Sequence, residues 1–216
     1  MRIPIFPLHL VLFPGETTRL HIFEPRYQQM LKDAMAGNKS FGVVLIRSGR
    51  EAGEPAEPHS VGTVATITEV QPLPDGRSDI IIMGVRRFRI TRLYADLPYL
   101  KADYELLDDS LDPNEVDDET IRGLNEGFRG YMRLFGGEAA ARAETIVLPE
   151  EPARLGNLIS AAIQVSLAEK QRLLEQAPAG RLQLLVNVLA REAIIAAKIG
   201  PSVAAVKPWL KQPSIN

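Results

Sequence analysis

The sequence predicts an α+β protein: a compact, partly closed sheet with one helix, followed by a helical bundle. Three observations carry that class. Up to Leu106 the apolar residues alternate, or run continuously over strand length, between breaks rich in Pro and Gly. Beyond Asn114 they return at helical spacing. Between the two patterns lies an acidic stretch, Leu107 to Asn114, that ends in Asp112-Pro113-Asn114. The boundary is placed there, so 1–112 is the expected sheet subdomain, 113–200 the helical subdomain and 201–216 a tail.

The strands come first. Ile3–Phe6 reads as a strand, and Leu10–Leu12 as a second extended piece after the bend that Pro7 imposes. Pro14-Gly15 is a turn signal, and Arg19–Phe23 reads as another short strand. Glu24-Pro25 opens a helix, because proline at the first helical position gives up no hydrogen bond. Tyr27, Met30, Leu31, Ala34 and Met35 then fall on one face, and Gly37-Asn38 ends the helix. Phe41–Ile46 is apolar throughout, as a strand buried on both sides requires. Ser48–Ser60 is a solvated loop. Val61–Val70 is rich in strand formers, Pro74-Asp75-Gly76 is a hairpin turn, and the strand beyond it carries a bulge at Gly84. Lys101–Leu106 alternates, with Ala102, Tyr104 and Leu106 directed inward.

The helical half begins with Asn114 as the expected cap. Ile121, Leu124, Phe128, Met132 and Phe135 give an apolar stripe, which Gly136-Gly137 stops. Pro152 starts the next helix. A short one covers Leu167–Gln176. The last runs from about Leu182 to a stop at Gly200-Pro201. These four helical patterns are expected to form a bundle on the sheet, with the tail folding back so that Trp209 covers an apolar patch.

Composition excludes several classes. Of 216 residues, 45% are hydrophobic and 24% charged, which are ordinary globular proportions. There is no cysteine, so disulfides, thiolate metal sites and a cysteine nucleophile are all removed, and a reducing cytoplasm fits. Net charge is -2, leaving no basic excess to bind DNA through its phosphates or to coat an anionic membrane. Pro4, Pro7 and His9 interrupt the first apolar run, unlike a signal peptide. A soluble cytoplasmic protein is expected.

Chemistry finds few footholds. His9, His21 and His59 are scattered, and no metal or cofactor is expected of them. His9 and His21 read as half-buried imidazoles bonded to backbone. No phosphate-cradling glycine motif and no serine-hydrolase elbow occurs. Arg86, Arg87, Arg89 and Arg92, interleaved with Phe88, form the one local basic concentration. They could bind RNA, although pairing with the chain's many carboxylates explains them better.

The run IFPLHLVLFPG followed by LHIFEPRY resembles the start of the Lon protease N-terminal, substrate-binding domain. FGVVLI, VGTVATITEV, LPDGR, GVRRFRI and PYLKADYELLDD follow in family order, and RLGNLISAAI, EKQRLLE and RLQLLVNVLARE continue the match through the helical half. The resemblance spans about residues 2–195. It implies a PUA-like pseudo-barrel with a helical bundle after it. It also implies a non-catalytic module that binds unfolded or tagged polypeptides as clients and passes them to a protease or chaperone or holds them. A Lon protease continues into an ATPase with a phosphate loop and a peptidase with a Ser-Lys dyad. This chain reaches Asn216 with neither, so a stand-alone domain without ATPase or peptidase activity is expected. PUA-like sheets also bind RNA, which keeps Arg86, Arg87 and Arg89 as the alternative site. For client binding the expected patch is Tyr94, Leu97 and Tyr99, in an apparent loop. The opening stretch Pro4–Tyr27 is expected to support the fold rather than to form a binding surface.

Overall fold

The computed structural model describes residues 1–49, 56–112 and 114–199. The middle of the expected loop, Pro113, the helix stop at Gly200-Pro201 and the Trp209 tail lie outside them. In chain order the elements are β1 (Arg2–Leu8), β2 (Thr17–Ile22), α1 (Pro25–Ala36), β3 (Ser40–Ser48), β4 (Glu57–Pro72), β5 (Ser78–Tyr94) and β6 (Leu100–Leu106). Five helices follow: α2 (Asp118–Leu134), α3 (Gly137–Thr145), α4 (Pro152–Ala162), α5 (Leu167–Glu175) and α6 (Pro178–Ile199). The fold is α+β, a mixed-sheet pseudo-barrel with one helix and a helical part after it.

The chain divides into two compact units, Met1–Asp109 with Ser160–Gln176, and Ser110–Ile159 with the chain from Ala177 on. A single cut at Pro113 therefore differs from the observed grouping, because α5 belongs with the sheet. The sequence hides this: an amphipathic helix of nine residues looks the same whichever apolar surface it covers.

In the first unit the strand order is β2-β5-β4-β3-β1-β6, and β5 pairs β6 as well. Strands β5, β4, β3, β1 and β6 thus close into a ring, and β2 stands outside it. Strand β5 is long enough to serve both roles. Its first half pairs β2 and its second half pairs β6. The register shift that sets Ala65 opposite Gly84 and Val64 opposite Arg86 is the expected bulge. It exchanges the faces of β5, so Ile80 and Ile82 lie in one core cluster and Phe88 in another.

The second cluster draws Ile3 and Ile5 from β1, Val44 from β3, Phe88 from β5 and Ala102 from β6, so it fills the ring. The first joins Phe6, Phe41, Val43, Ile80 and Ile82 to Tyr27, Met30, Leu31 and Ala34 of α1. Strand β3 serves both clusters, which is why Phe41–Ile46 carries no polar position. A side chain at Gly62 would collide with the Val43 carbonyl, so the ring closes only with glycine there. Leu10–Leu12, expected to be extended, forms no strand. The segment is held instead by the buried Thr63 hydroxyl, which donates to the Leu12 carbonyl at 2.6 Å.

In the second unit α2 starts later than expected. Asp117, not Asn114, caps it by accepting from the Thr120 amide at 2.7 Å. Gly136 and Gly137, at φ of 64° and 50°, turn the chain and launch α3, a helix the sequence reading omits. Arg129 donates to the Ala143 and Ile146 carbonyls and so closes the C-terminal end of α3. Leu124, Phe128, Leu155, Ile159, Leu182 and Leu185 are buried in this unit, where the buried Arg181 donates to Asn157.

Candidate functional site

The structure scatters the residues expected to bind. Tyr99 is 3% exposed and belongs to the core cluster around α1. Its hydroxyl donates to Asp33 at 2.5 Å. Burial and the Asp33 carboxylate push that hydroxyl well above the ordinary phenol range. Tyr99 therefore plugs the fold and offers no surface to a client. Tyr94 donates to Asp103 at 2.5 Å and carries the Arg2 guanidinium 3.9 Å above its ring. The Tyr94 hydroxyl and Arg2 hold the Asp103 carboxyl below its usual range. Only Leu97 of the three is an exposed apolar side chain. The proposed patch is thus corrected to a single leucine beside two tyrosines that serve the fold.

The arginine cluster separates as well. Arg86 and Arg89 are exposed, and Arg89 lies 3.5 Å from Glu105. Arg87 is 2% exposed. Its guanidinium donates to the Asp109 carboxylate at 2.6 Å and to the carbonyls of Leu174 at 2.7 Å, Gln176 at 2.6 Å and Asp108 at 3.3 Å. The bulge turns Arg87 away from the ring, and α5 covers it. A guanidinium so enclosed reaches no RNA, which corrects Arg87 as an RNA-binding residue.

The histidines also differ from expectation. His21 is exposed and meets the Asp79 carboxylate at 2.7 Å rather than backbone. His59 lies 3.6 Å from Glu175, and His9 is exposed. Among the described residues no three His, Asp or Glu side chains gather as a metal site needs.

A concave apolar site does exist, and the opening stretch builds it. A pocket of about 280 Å³ is lined by Phe6, Leu8, Leu10, Tyr27, Phe23 and Glu24, with Arg19, Leu20, His21 and Ile22 of β2 along one side. Buried Phe6, Ile22 and Tyr27 form its depth, with the Phe6 and Tyr27 rings 4.2 Å apart. Phe23, 54% exposed, stands at its mouth and stacks on His21 at 6.0 Å. Opposed Arg26 and Glu24 meet at 2.9 Å beside it. Pro4–Tyr27, expected to support the fold, also supplies the lining of this pocket. One signal was present in the sequence. The inward alternation Leu20, Ile22 puts Phe23 on the outer parity, where a solvated strand end would carry a polar residue.

Residues 2–191 match the family described as the ATP-dependent protease La (LON) substrate-binding domain. The chain belongs to that family. It is 29% identical over 194 residues to Lon protease 2 of Myxococcus xanthus, an alignment that covers 88% of this chain and 24% of that protein. It is 30% identical over 193 residues to the Lon protease of Xanthomonas oryzae, covering 87% of this chain and 22% of that one. The chain thus spans about a quarter of the length of the curated relatives it matches. Among solved structures, a Lon N-terminal domain protein from Xanthomonas campestris superposes with a TM-score of 0.67 at 27% identity, covering 87% of this chain and 98% of that one. The N-terminal domain of the Mycobacterium avium complex Lon protease shares the fold, with a TM-score of 0.65 at 16% identity over 88% of this chain and 98% of that one. No helix among the described residues is long and apolar enough to cross a membrane.

Proposed function

We propose that this chain is a non-catalytic polypeptide-binding module that captures exposed apolar segments of unfolded or tagged proteins and holds them for a protease or chaperone. The observation that carries the reading is the pocket: an apolar depth with an exposed phenylalanine at its mouth. Apolar surface is removed from water when a client side chain enters, and a largely apolar site discriminates little between clients. The family described for substrate binding supports the same reading. These residues hold no phosphate loop, so any ATP-driven step belongs to another module. The absence of cysteine supports work in a reducing cytoplasm.

The test is binding of fluorescein-labelled, unfolded casein, followed by anisotropy. Phe23→Asp puts a charge at the pocket mouth and weakens binding about tenfold or more, with an unchanged melting temperature. Leu97→Asp, on the patch expected from sequence, serves as the comparison and changes affinity less than twofold. Equal affinity for wild type and Phe23→Asp would overturn the pocket as the client site.

A further inference from the structure

Among the described residues, β2 is the one strand outside the ring, and it pairs β5 alone. Its free side has a definite register. The Gly84 amide donates to the Glu16 carbonyl at 2.9 Å and the Gly84 carbonyl accepts from the Gly15 amide at 2.8 Å, so both backbone groups of Gly84 face the β2 side. Antiparallel alternation then turns the backbone groups of Thr18, Leu20 and Ile22 toward β5 and those of Thr17, Arg19 and His21 toward the open edge. The other side of β5 agrees: the Ile81 carbonyl, opposite Arg19 in the ladder, is directed to β4, where the Thr68 hydroxyl takes it at 3.1 Å.

The pocket lies along this edge. Four consecutive residues, Arg19 to Ile22, line it, and successive side chains of a strand point to opposite faces. Only the edge presents them together. The facing wall includes Phe6 and Leu8 of β1, a stretch that pairs β3 and lies beyond the β1–β6 ladder, which ends at Ile5. The pocket is therefore a slot with the open edge of β2 along one side and the apolar side chains of β1 along the other. Charge adds a direction. Arg26 and Arg77 are paired with Glu24 and Asp75. Arg19 is exposed and has no acidic partner among the described residues.

We infer that the slot receives its client as an added strand. An extended segment pairs through its backbone with Thr17, Arg19 and His21, sets an apolar side chain into the depth formed by Phe6, Ile22 and Tyr27, and places an acidic side chain against Arg19. This rests on the polypeptide-binding reading and adds the client's conformation and pattern. Arg19 and the inward residues of β2 lie on opposite faces, so the acid stands an odd number of positions from the apolar anchor. A second copy of β2 does not satisfy the slot, because Thr17–Ile22 holds no acid. The chain's own residues 201–216 do not either, as their charged side chains are Lys207 and Lys211.

Overlapping twelve-residue casein peptides, screened on the intact chain, supply the probe. In the tightest binder each amide is methylated in turn. Backbone pairing predicts that every second methylation costs about tenfold or more in affinity and that the intervening ones cost little. Proline is tolerated at an edge position whose N–H is outside the ladder, so His21→Pro folds. It binds about tenfold more weakly than His21→Ala, which lacks the side chain alone. Arg19→Glu weakens peptides with the acid at an odd spacing, and replacing that acid by lysine restores them. If wild type binds casein peptides without alternation in the methylation series, the added strand is overturned and the pocket reading stands. If no casein peptide binds, both fall. Concentration-dependent dimerisation abolished by His21→Pro would show a second copy in the slot and overturn the client strand.

Discussion

Arg87 and Arg19 stand on paired strands of one sheet and have opposite surroundings. Arg87 is enclosed under α5 and satisfies four acceptors. Arg19 is exposed on an edge that pairs no further strand among the described residues. Both are arginines on strands rich in β-branched residues, so residue type does not separate them. Coverage does. Where α5 lies over β4 and β5, a guanidinium becomes an internal tie. Where the sheet ends at β2, the same group is left for a partner. The lesson is to look for function at the element the ring leaves out, rather than where basic residues are densest.

The largest expected effect breaks the covered side. Arg87→Ala strands the Asp109 carboxylate and the carbonyls at the end of α5, and loss of one partner from a buried pair of this kind costs about 3–5 kcal/mol. The urea midpoint falls accordingly, with the slope unchanged. Arg87→Lys recovers only part of that, since an ammonium cannot span acceptors arranged for a planar fork. A loss below about 1 kcal/mol, in the range of exposed ion pairs, would show that α5 does not depend on this tie.

The contrast also marks what the sequence could reveal. The ring and α1 were legible because each strand had its own pattern. Phe41–Ile46 is apolar throughout, Val61 to Ile67 alternates, and Glu24-Pro25 starts a helix. The bulge at Gly84 was legible too, but its consequence was not. Reversing the face of Arg87 matters only once α5 is known to cover it, and α5 lies more than eighty residues further along the chain. Tyr99 misled for a similar reason. In RLYADLPYL it reads as a loop aromatic, yet its partner Asp33 lies on α1, a contact no local pattern encodes. The pocket was hidden because its walls are separate short pieces of β1, β2 and α1, each with its own structural explanation.

A middle-sized effect tests the plug. Tyr99→Phe keeps the buried ring and removes the hydrogen bond to Asp33. The Tyr99 hydroxyl first, and the Gln29 amide second, hold the Asp33 carboxyl below its ordinary 3.8. A carboxylate whose folded value is depressed adds stability above its unfolded value and loses it as pH falls through the folded one. Wild type therefore melts a few degrees above Tyr99→Phe near pH 7, and the two curves approach each other below about pH 4. A gap that is constant across this range would mean that the ring's packing, and not the bond to Asp33, sets the difference. Casein affinity at pH 7 is the second readout. It stays at the wild-type value, because Tyr99 lies within the core and outside the pocket lining.

The smallest stability effect belongs to the open side, and its smallness is the point. Arg19 has no acidic partner among the described residues and an exposed side chain, so Arg19→Ala shifts unfolding free energy by no more than about 0.5 kcal/mol. Truncation of Arg87 acts on stability, whereas truncation of Arg19 acts on binding alone. The acidic casein peptides of the slot lose affinity to Arg19→Ala, and what remains falls less steeply as salt rises. A stability loss comparable to that of Arg87→Ala would place Arg19 in the fold's own network and remove the contrast between the covered and open sides. An unchanged salt dependence would leave the slot its apolar anchor and its backbone edge, but take away its preference for an acidic client.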